Sequence, residues 1–174
     1  MSSNCVLVHA RRTDYLTNSE YHCVLESEYY EQAKRIIQEK IENPKFILIS
    51  DDMSFWKDSA LFTKEESVYL DESDIDTFYV MIHSKSFIMA NSSYSWWGAY
   101  LSNANLVIAP KQWYSENAQK VGDDIIKESS KMKGVRCMIE LKVQNRAAEI
   151  YLLPTSSALL IKELGVKLIL GSGS

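Results

Sequence analysis

Two adjacent arginines stand where an apolar run meets a polar loop: His9-Ala10-Arg11-Arg12-Thr13-Asp14-Tyr15 follows directly on Val6-Leu7-Val8. About eighty residues later a second junction pairs Phe87-Ile88-Met89-Ala90 with Asn91-Ser92-Ser93-Tyr94-Ser95. A diphosphate needs what these two stretches offer. Each guanidinium is a planar fork that stays protonated and donates two parallel charge-assisted hydrogen bonds. Small hydroxyl residues that open a helix add backbone N–H groups with no internal partner, at the end whose dipole favours negative charge. Asp14 can hold one guanidinium in place; the plainer alternative is a surface ion pair beside a strand end, worth little. His9 can serve as a general base, or offer only its backbone. For Asn91–Ser95 the plainer alternative is an ordinary helix cap followed by an aromatic stripe. Trp96, Trp97 and Tyr100 are expected as core or wall in that stripe, and Gly98 as a point of close packing on a strand.

Other polar groups are less decided. Ser50-Asp51-Asp52 follows Phe46-Ile47-Leu48-Ile49 and either accepts bonds from ribose or base, or caps the next helix. Asp74-Ile75-Asp76 matches the aspartate-x-aspartate pattern of manganese-dependent glycosyltransferases, but it occupies a helix first turn, where acids are expected for the dipole. His22, His83 and Cys23 lack ligand spacing, so no metal is expected. Neither Ser92 nor Ser95 sits in a nucleophile elbow, which argues against a hydrolase.

The elements that must position these groups alternate in type. Strands are expected at Cys5–Val8, Phe46–Ile49, Ser67–Leu70, Phe87–Ala90 and Leu106–Ala109, the last stopped by Pro110. Helices are expected from Ser27, as cap, through Ile41, around Met53–Phe62, and over Ser93–Ser102. A further helix opens at the capping-box pattern Ser73-x-x-Asp76, with Ile75, Phe78, Tyr79 and Ile82 on one face. Strands that are apolar throughout and alternate with helices indicate an α/β fold with a Rossmann-like parallel sheet covered on both faces. Ligands of such sheets bind beyond the strands' carboxyl ends, where both motifs and Ser50–Asp52 fall.

The whole chain sets further bounds. Its 174 residues suffice for one domain with a sizeable core. A net charge of −4 makes a nucleic-acid partner held by a broad basic field an unsuitable reading. Three cysteines, far apart, suit free thiols better than a disulfide framework or a zinc site. No stretch approaches the apolar length of a spanning helix. The abrupt entry into a motif-bearing strand suggests the second half of something larger. Residues 1–126 carry the motifs, whereas residues 127–174 read as a divergent extension. In it Lys127–Lys142 is polar, Ser157–Leu164 suits a short helix, Val166–Leu170 suits a strand, and Gly171–Ser174 suits a flexible linker.

Taken together, the motifs resemble glycosyltransferase family 11, the α-1,2-fucosyltransferases. The family's HxRRxD is matched by His9 to Asp14, its middle signature by Phe46 to Trp56, and its late signature by Ile88 to Leu101. Val107-Ile108-Ala109-Pro110 and Trp113 lie beyond. The resemblance implies the C-terminal, donor-binding domain of a GT-B enzyme, with GDP-fucose as donor and a terminal galactoside as acceptor. It implies inverting transfer to the acceptor's 2-hydroxyl without a metal. In that picture Arg11 and Arg12 grip the pyrophosphate, and Arg12 also stabilises charge on the departing β-phosphate. Ser92 and Ser93 bond the phosphates, with Asn91, Ser95 and Asp14 in the donor-binding set, and His9, Asp51 or Asp52 lie near the nucleoside. Thr77 stands where the family usually carries an aspartate that reads guanine, so Asp76 beside it joins that set. The N-terminal domain that forms much of the acceptor side does not precede Cys5. Bacterial members are cytosolic or membrane-associated and animal members are Golgi proteins. A non-catalytic remnant that binds nucleotide and acts through protein contacts is the main alternative, and a metal-dependent nucleotide-sugar hydrolase a lesser one.

Overall fold

The computed structural model describes residues 4–102, 104–118 and 149–153. Six strands form one sheet: β1 (Cys5–Ala10), β2 (Lys45–Ser50), β3 (Ser67–Tyr69), β4 (Ser86–Ile88), β5 (Leu106–Pro110) and β6 (Glu149–Leu153). Their spatial order is β3-β2-β1-β4-β5-β6, and every neighbouring pair is parallel. This is the Rossmann-like order, consistent with a GT-B fold. The chain winds outward from β1 to β3, then crosses back to start β4 on β1's other side. The crevice of such a sheet opens at the β1/β4 boundary, beyond the strands' carboxyl ends.

The helices are α1 (Thr13–Thr17), α2 (Ser27–Lys40), α3 (Ser54–Asp58), α4 (Asp74–Ile82) and α5 (Ser93–Leu101). Alternation along each strand divides the core in two. Val6, Val8, Phe46, Leu48, Ile88 and Ile108 face Tyr29, Tyr30, Ala33 and Ile37 of α2 and Trp56 of α3. Leu7, Ile49, Phe87, Met89 and Val107 face Met81 of α4 and Ala99 of α5. Burial on both faces explains the continuously apolar runs at the centres of β1, β2, β4 and β5, whereas the edge strand β3 is exposed. Aromatic tips satisfy carbonyls near the strands' carboxyl ends, where ladder pairing stops. Tyr30 Oη donates to His9, Trp56 Nε1 to Ile49, Tyr29 Oη to Met89 and Tyr15 Oη to Asn91.

Several elements differ from expectation. Ser27 is the first helical residue rather than the cap, which is Glu26, and no side chain caps that end. Helix α3 is shorter than Met53–Phe62. Ser73 does cap α4, accepting from the Asp76 amide. The buried residues of α4, however, are Thr77 and Met81, while Ile75 and Tyr79 are exposed. The expected face ignored that a nine-residue helix meets its neighbour along one narrow contact, set here by Gly98. A Cβ at Gly98 would lie 2.9 Å from the Met81 Cβ, so the glycine permits close approach of helix to helix, not of helix to strand. Trp97 and Tyr100 are substantially exposed, not core. Strand β6 was not expected at all. The elements suggested at Ser157–Leu164 and Val166–Leu170, and the stretch Lys127–Lys142, lie outside the described residues. Among the described residues no helix is long and apolar enough to cross a membrane.

Candidate functional site

Parallel pairing of β1 with β2 is in register at their ends, Ala10 beside Ser50, so the residues that follow each strand meet. Asp51 consequently reaches across to the β1–α1 turn. Its Oδ1 accepts from the Arg12 amide at 2.7 Å and its Oδ2 from the Thr13 amide at 3.1 Å, with the Thr13 hydroxyl a further donor. Asp51 therefore caps α1, the helix of the arginine motif, and not the helix after its own strand. That second role belongs to Asp52, which accepts from the Ser54 amide at 3.0 Å.

The two arginines diverge. Arg11 Nε donates to Asp14 Oδ1 at 2.8 Å and lies 3.4 Å from Asp51 Oδ2, with its side chain 35% exposed. Burial works against its charge, but the Asp14 hydrogen bond and the Asp51 carboxylate outweigh that and raise its pKa. Arg12 turns into the protein. Its Nη1 donates to the Leu25 carbonyl at 2.8 Å and to Glu26 at 3.3 Å, and its guanidinium carbon sits 4.3 Å from the centre of the Phe55 ring. Asp14 thus secures Arg11, whereas Arg12 ties the end of β1 to the start of α2.

At the other motif the hydroxyls serve the backbone. Ser92 Oγ caps α5 by accepting from the Ser95 amide at 3.1 Å, and Ser95 Oγ accepts from the Ala90 amide at 3.0 Å. Asn91 Nδ2 donates to the carbonyls of Cys23 and Trp113 at 2.7 and 2.9 Å, clamping two loops over the sheet end. Ser93 is exposed at the first helical position. The helix tip keeps the N–H groups of Ser93 and Tyr94, which precede the first intrahelical bond.

A cleft opens between these parts, lined by His9 and Arg11 at the end of β1, Ser50 and Asp51 at the end of β2, Asp71 and Glu72 before α4, Asp74 and Thr77 in its first turn, and Tyr94 of α5. It brings together His9, Arg11 and Asp51 of the expected set. Arg12, Asp14, Asp52, Asp76, Asn91, Ser92, Ser93 and Ser95 are not among its lining residues. Asp76 bonds Ser73 within the capping box. Asp74 was expected only as a first-turn acid of α4, and Asp71, Glu72 and the Tyr94 hydroxyl are not marked by any motif. Nothing in composition marks this acidic lip except that it follows a short edge strand, and a tyrosine inside an aromatic stripe reads as packing. The cleft encloses about 140 Å³. That is below the ~300–1,000 Å³ typical of pockets that bury a small ligand, so a nucleotide sugar would need a further wall.

His9 is 3% exposed, and its ring meets Tyr94 edge-on at 5.6 Å. Burial pushes its pKa down to about 4, against the pull of Asp51 and helped by Arg11. The ring is neutral at pH 7. In the unfolded chain it takes up its proton near pH 6.5. Protons are therefore bound preferentially by the unfolded state between about pH 6.5 and 4, and the stability that neutral His9 confers is lost as pH falls through that window. The effect is on the order of 3 kcal/mol at most. His9→Gln, which cannot protonate, should differ less and less from the wild type in melting temperature as pH drops from 7 to 4.5. A gap that stays constant with pH would contradict the shift.

Comparison with known proteins places this geometry in context. The model of the family described as Glycosyl transferase family 11 matches residues 1–133. The O-antigen biosynthesis glycosyltransferase WbnK of Escherichia coli is 36% identical over 127 residues, covering 67% of this chain and 41% of that protein. An alpha-1,2-colitosyltransferase of Escherichia coli is 36% identical over 121 residues, covering 64% of this chain and 42% of the relative. The chain thus spans about two fifths of the length of these glycosyltransferases. A shorter likeness is of another kind: the large ribosomal subunit protein uL11 of Neurospora crassa is 46% identical over 46 residues, covering 26% of this chain and 28% of that protein. No solved structure matches.

Proposed function

Since the chain belongs to glycosyl transferase family 11, we propose that it is the GDP-fucose-binding part of an α-1,2-fucosyltransferase. The acceptor is a galactose-terminated glycan, and the rest of the enzyme supplies the acceptor side of the cleft. The observation that carries this reading is one cation, Arg11, at the β1/β4 switch point of a parallel sheet, beside the N-terminus of α5. In the reaction the acceptor's 2-hydroxyl oxygen attacks the anomeric carbon from the face opposite the nucleotide, and its proton passes to a carboxylate of the cleft. The bond from that carbon to the β-phosphate oxygen breaks, the configuration inverts, and GDP leaves with the electron pair.

Arg11 is the group best placed to take the negative charge that develops on the leaving diphosphate, aided by the N-terminal end of α5 at Tyr94, which lines the same cleft. Arg12, the other arginine of the pair, contributes by holding the turn that aims Arg11. Neutral His9 is a poor proton acceptor from a sugar hydroxyl; it suits a hydrogen bond to the nucleoside or phosphate better. The transfer is proposed to proceed without a metal. The relative named for colitose makes that sugar the alternative to fucose. A chain that binds nucleotide without turnover is the second reading, supported by the small volume of the cleft standing alone.

The donor domain is proposed to occupy residues 1–126. The extension at 127–174 adds β6 to the sheet beside β5. Loss of the fold on cutting at 126 would contradict that boundary. For the donor site, calorimetric titration with GDP in excess EDTA should give saturable binding. Absence of heat from the folded protein would remove the proposal.

A further inference from the structure

The acidic lip and the helix tip that both border the cleft are joined by one side chain. Tyr94, second residue of α5, places its hydroxyl 2.6 Å from Thr77 Oγ1 and donates to the Asp74 carbonyl, also at 2.6 Å. Thr77 Oγ1 also reaches the Ser73 and Asp74 carbonyls at 3.1 Å. The hydroxyl is thus committed to the first turn of α4. The ring of Tyr94 meets His9 edge-on and packs on Phe78 of α4 at 5.4 Å. One residue thereby fixes three things relative to each other: the α5 tip, the start of α4 with its acids, and the imidazole at the end of β1.

We propose that Tyr94 is a positioning and specificity-determining residue. Through its hydroxyl it sets the span between the phosphate end of the cleft, at Arg11 and the α5 tip, and the nucleoside wall at Asp71–Thr77. The inference rests on the nucleotide-diphosphate reading of the cleft. It follows from geometry that only a ligand touching both ends senses this span. Inorganic pyrophosphate touches one end; GDP touches both. Removing the hydroxyl leaves the ring contacts in place, so the helices stay packed while the α4 start is freed to drift. A misplaced wall costs a ligand that must satisfy two sites in one fixed geometry, and leaves a ligand of one site indifferent.

The test compares GDP and pyrophosphate binding by calorimetry for the full chain, Tyr94→Phe, Thr77→Val and the double variant, with melting temperatures as the fold control. Tyr94→Phe should bind GDP roughly tenfold more weakly, the scale of one hydrogen bond, with pyrophosphate affinity unchanged. Thr77→Val, which keeps the bond from Tyr94 to the Asp74 carbonyl, should show a smaller loss of the same selectivity. The double variant should bind GDP no more weakly than Tyr94→Phe alone, because the Thr77 contact is already gone once the Tyr94 hydroxyl is removed. Equal weakening of GDP and pyrophosphate would mean a general structural role and overturn the inference, as would wild-type GDP affinity in Tyr94→Phe. Failure of the wild type itself to bind GDP would overturn the nucleotide reading, and this inference with it.

Discussion

Replacing Arg11 by alanine should weaken GDP binding at least tenfold while moving the melting temperature by no more than about 4 °C. The asymmetry comes from where the guanidinium stands. Its partner Asp14 is half-exposed, Asp51 lines the cleft, and the Arg11 side chain is more than one-third exposed. Ion pairs of that kind contribute roughly 0–1 kcal/mol to stability, and a chain of this size shifts by about 2–4 °C per kcal/mol. A phosphate that loses a charge-assisted donor forfeits roughly 1.5–3 kcal/mol, which is tenfold to more than a hundredfold. Asp51 stays bonded to the Arg12 and Thr13 amides in the variant, so the turn keeps its shape. Arg11→Lys should recover only part of the affinity, since an ammonium supplies the charge without the fork. Equal GDP affinity in Arg11→Ala and wild type would mean that the diphosphate does not lie against this residue.

Arg12→Ala should do the reverse, with a fall in stability of about 3 kcal/mol and in melting temperature of roughly 6–12 °C. The guanidinium is nine-tenths buried, and the variant strands the Leu25 carbonyl that it satisfies. A charged donor on a buried carbonyl is worth roughly 1.5–3 kcal/mol, and the stack on Phe55 adds roughly 0.5–2. Glu26 is well exposed and contributes little beyond this. Because Arg12 also shapes the turn that presents Arg11, GDP affinity should fall too, but in proportion to unfolding when measured near the transition. Thermal denaturation separates the cases: a melting temperature within 2 °C of wild type would mean that the burial of Arg12 confers no stability.

Much of the fold was legible because its signals are local or periodic. Four runs apolar throughout, each followed by a turn or helix, can only be strands covered on both faces, and their order with helices between gives a parallel sheet. The capping pair Ser73 and Asp76 was equally visible, since three residues' separation places the acid over the cap. Helix faces were harder. Ile75 and Tyr79 share a face by spacing, yet α4 buries Thr77 and Met81, because Gly98 of a helix distant in sequence decides which side is approached.

The site divides along the same line. That the motifs converge at strand ends follows from topology, and the arginine pair was visible as a pair. Which arginine faces the cleft was not, because the choice depends on Leu25, Glu26 and Phe55, residues with no motif of their own. Asp51 seemed balanced between ligand contact and capping its own helix. Strand register gives it a third role, as the cap of a neighbouring element. Hydroxyls at Ser92 and Ser95 suggested phosphate contacts, yet backbone amides claim them first. Tyr94 went unnoticed because its contribution is one atom at the end of a packing residue.

The most direct test of the whole account is the structure of the complex with GDP. It should place the diphosphate at hydrogen-bond distance, about 3 Å, from the Arg11 guanidinium and the α5 tip, with Arg12 still turned toward Leu25. A diphosphate bound away from the β1/β4 crevice, with Arg11 free of it, would contradict the account.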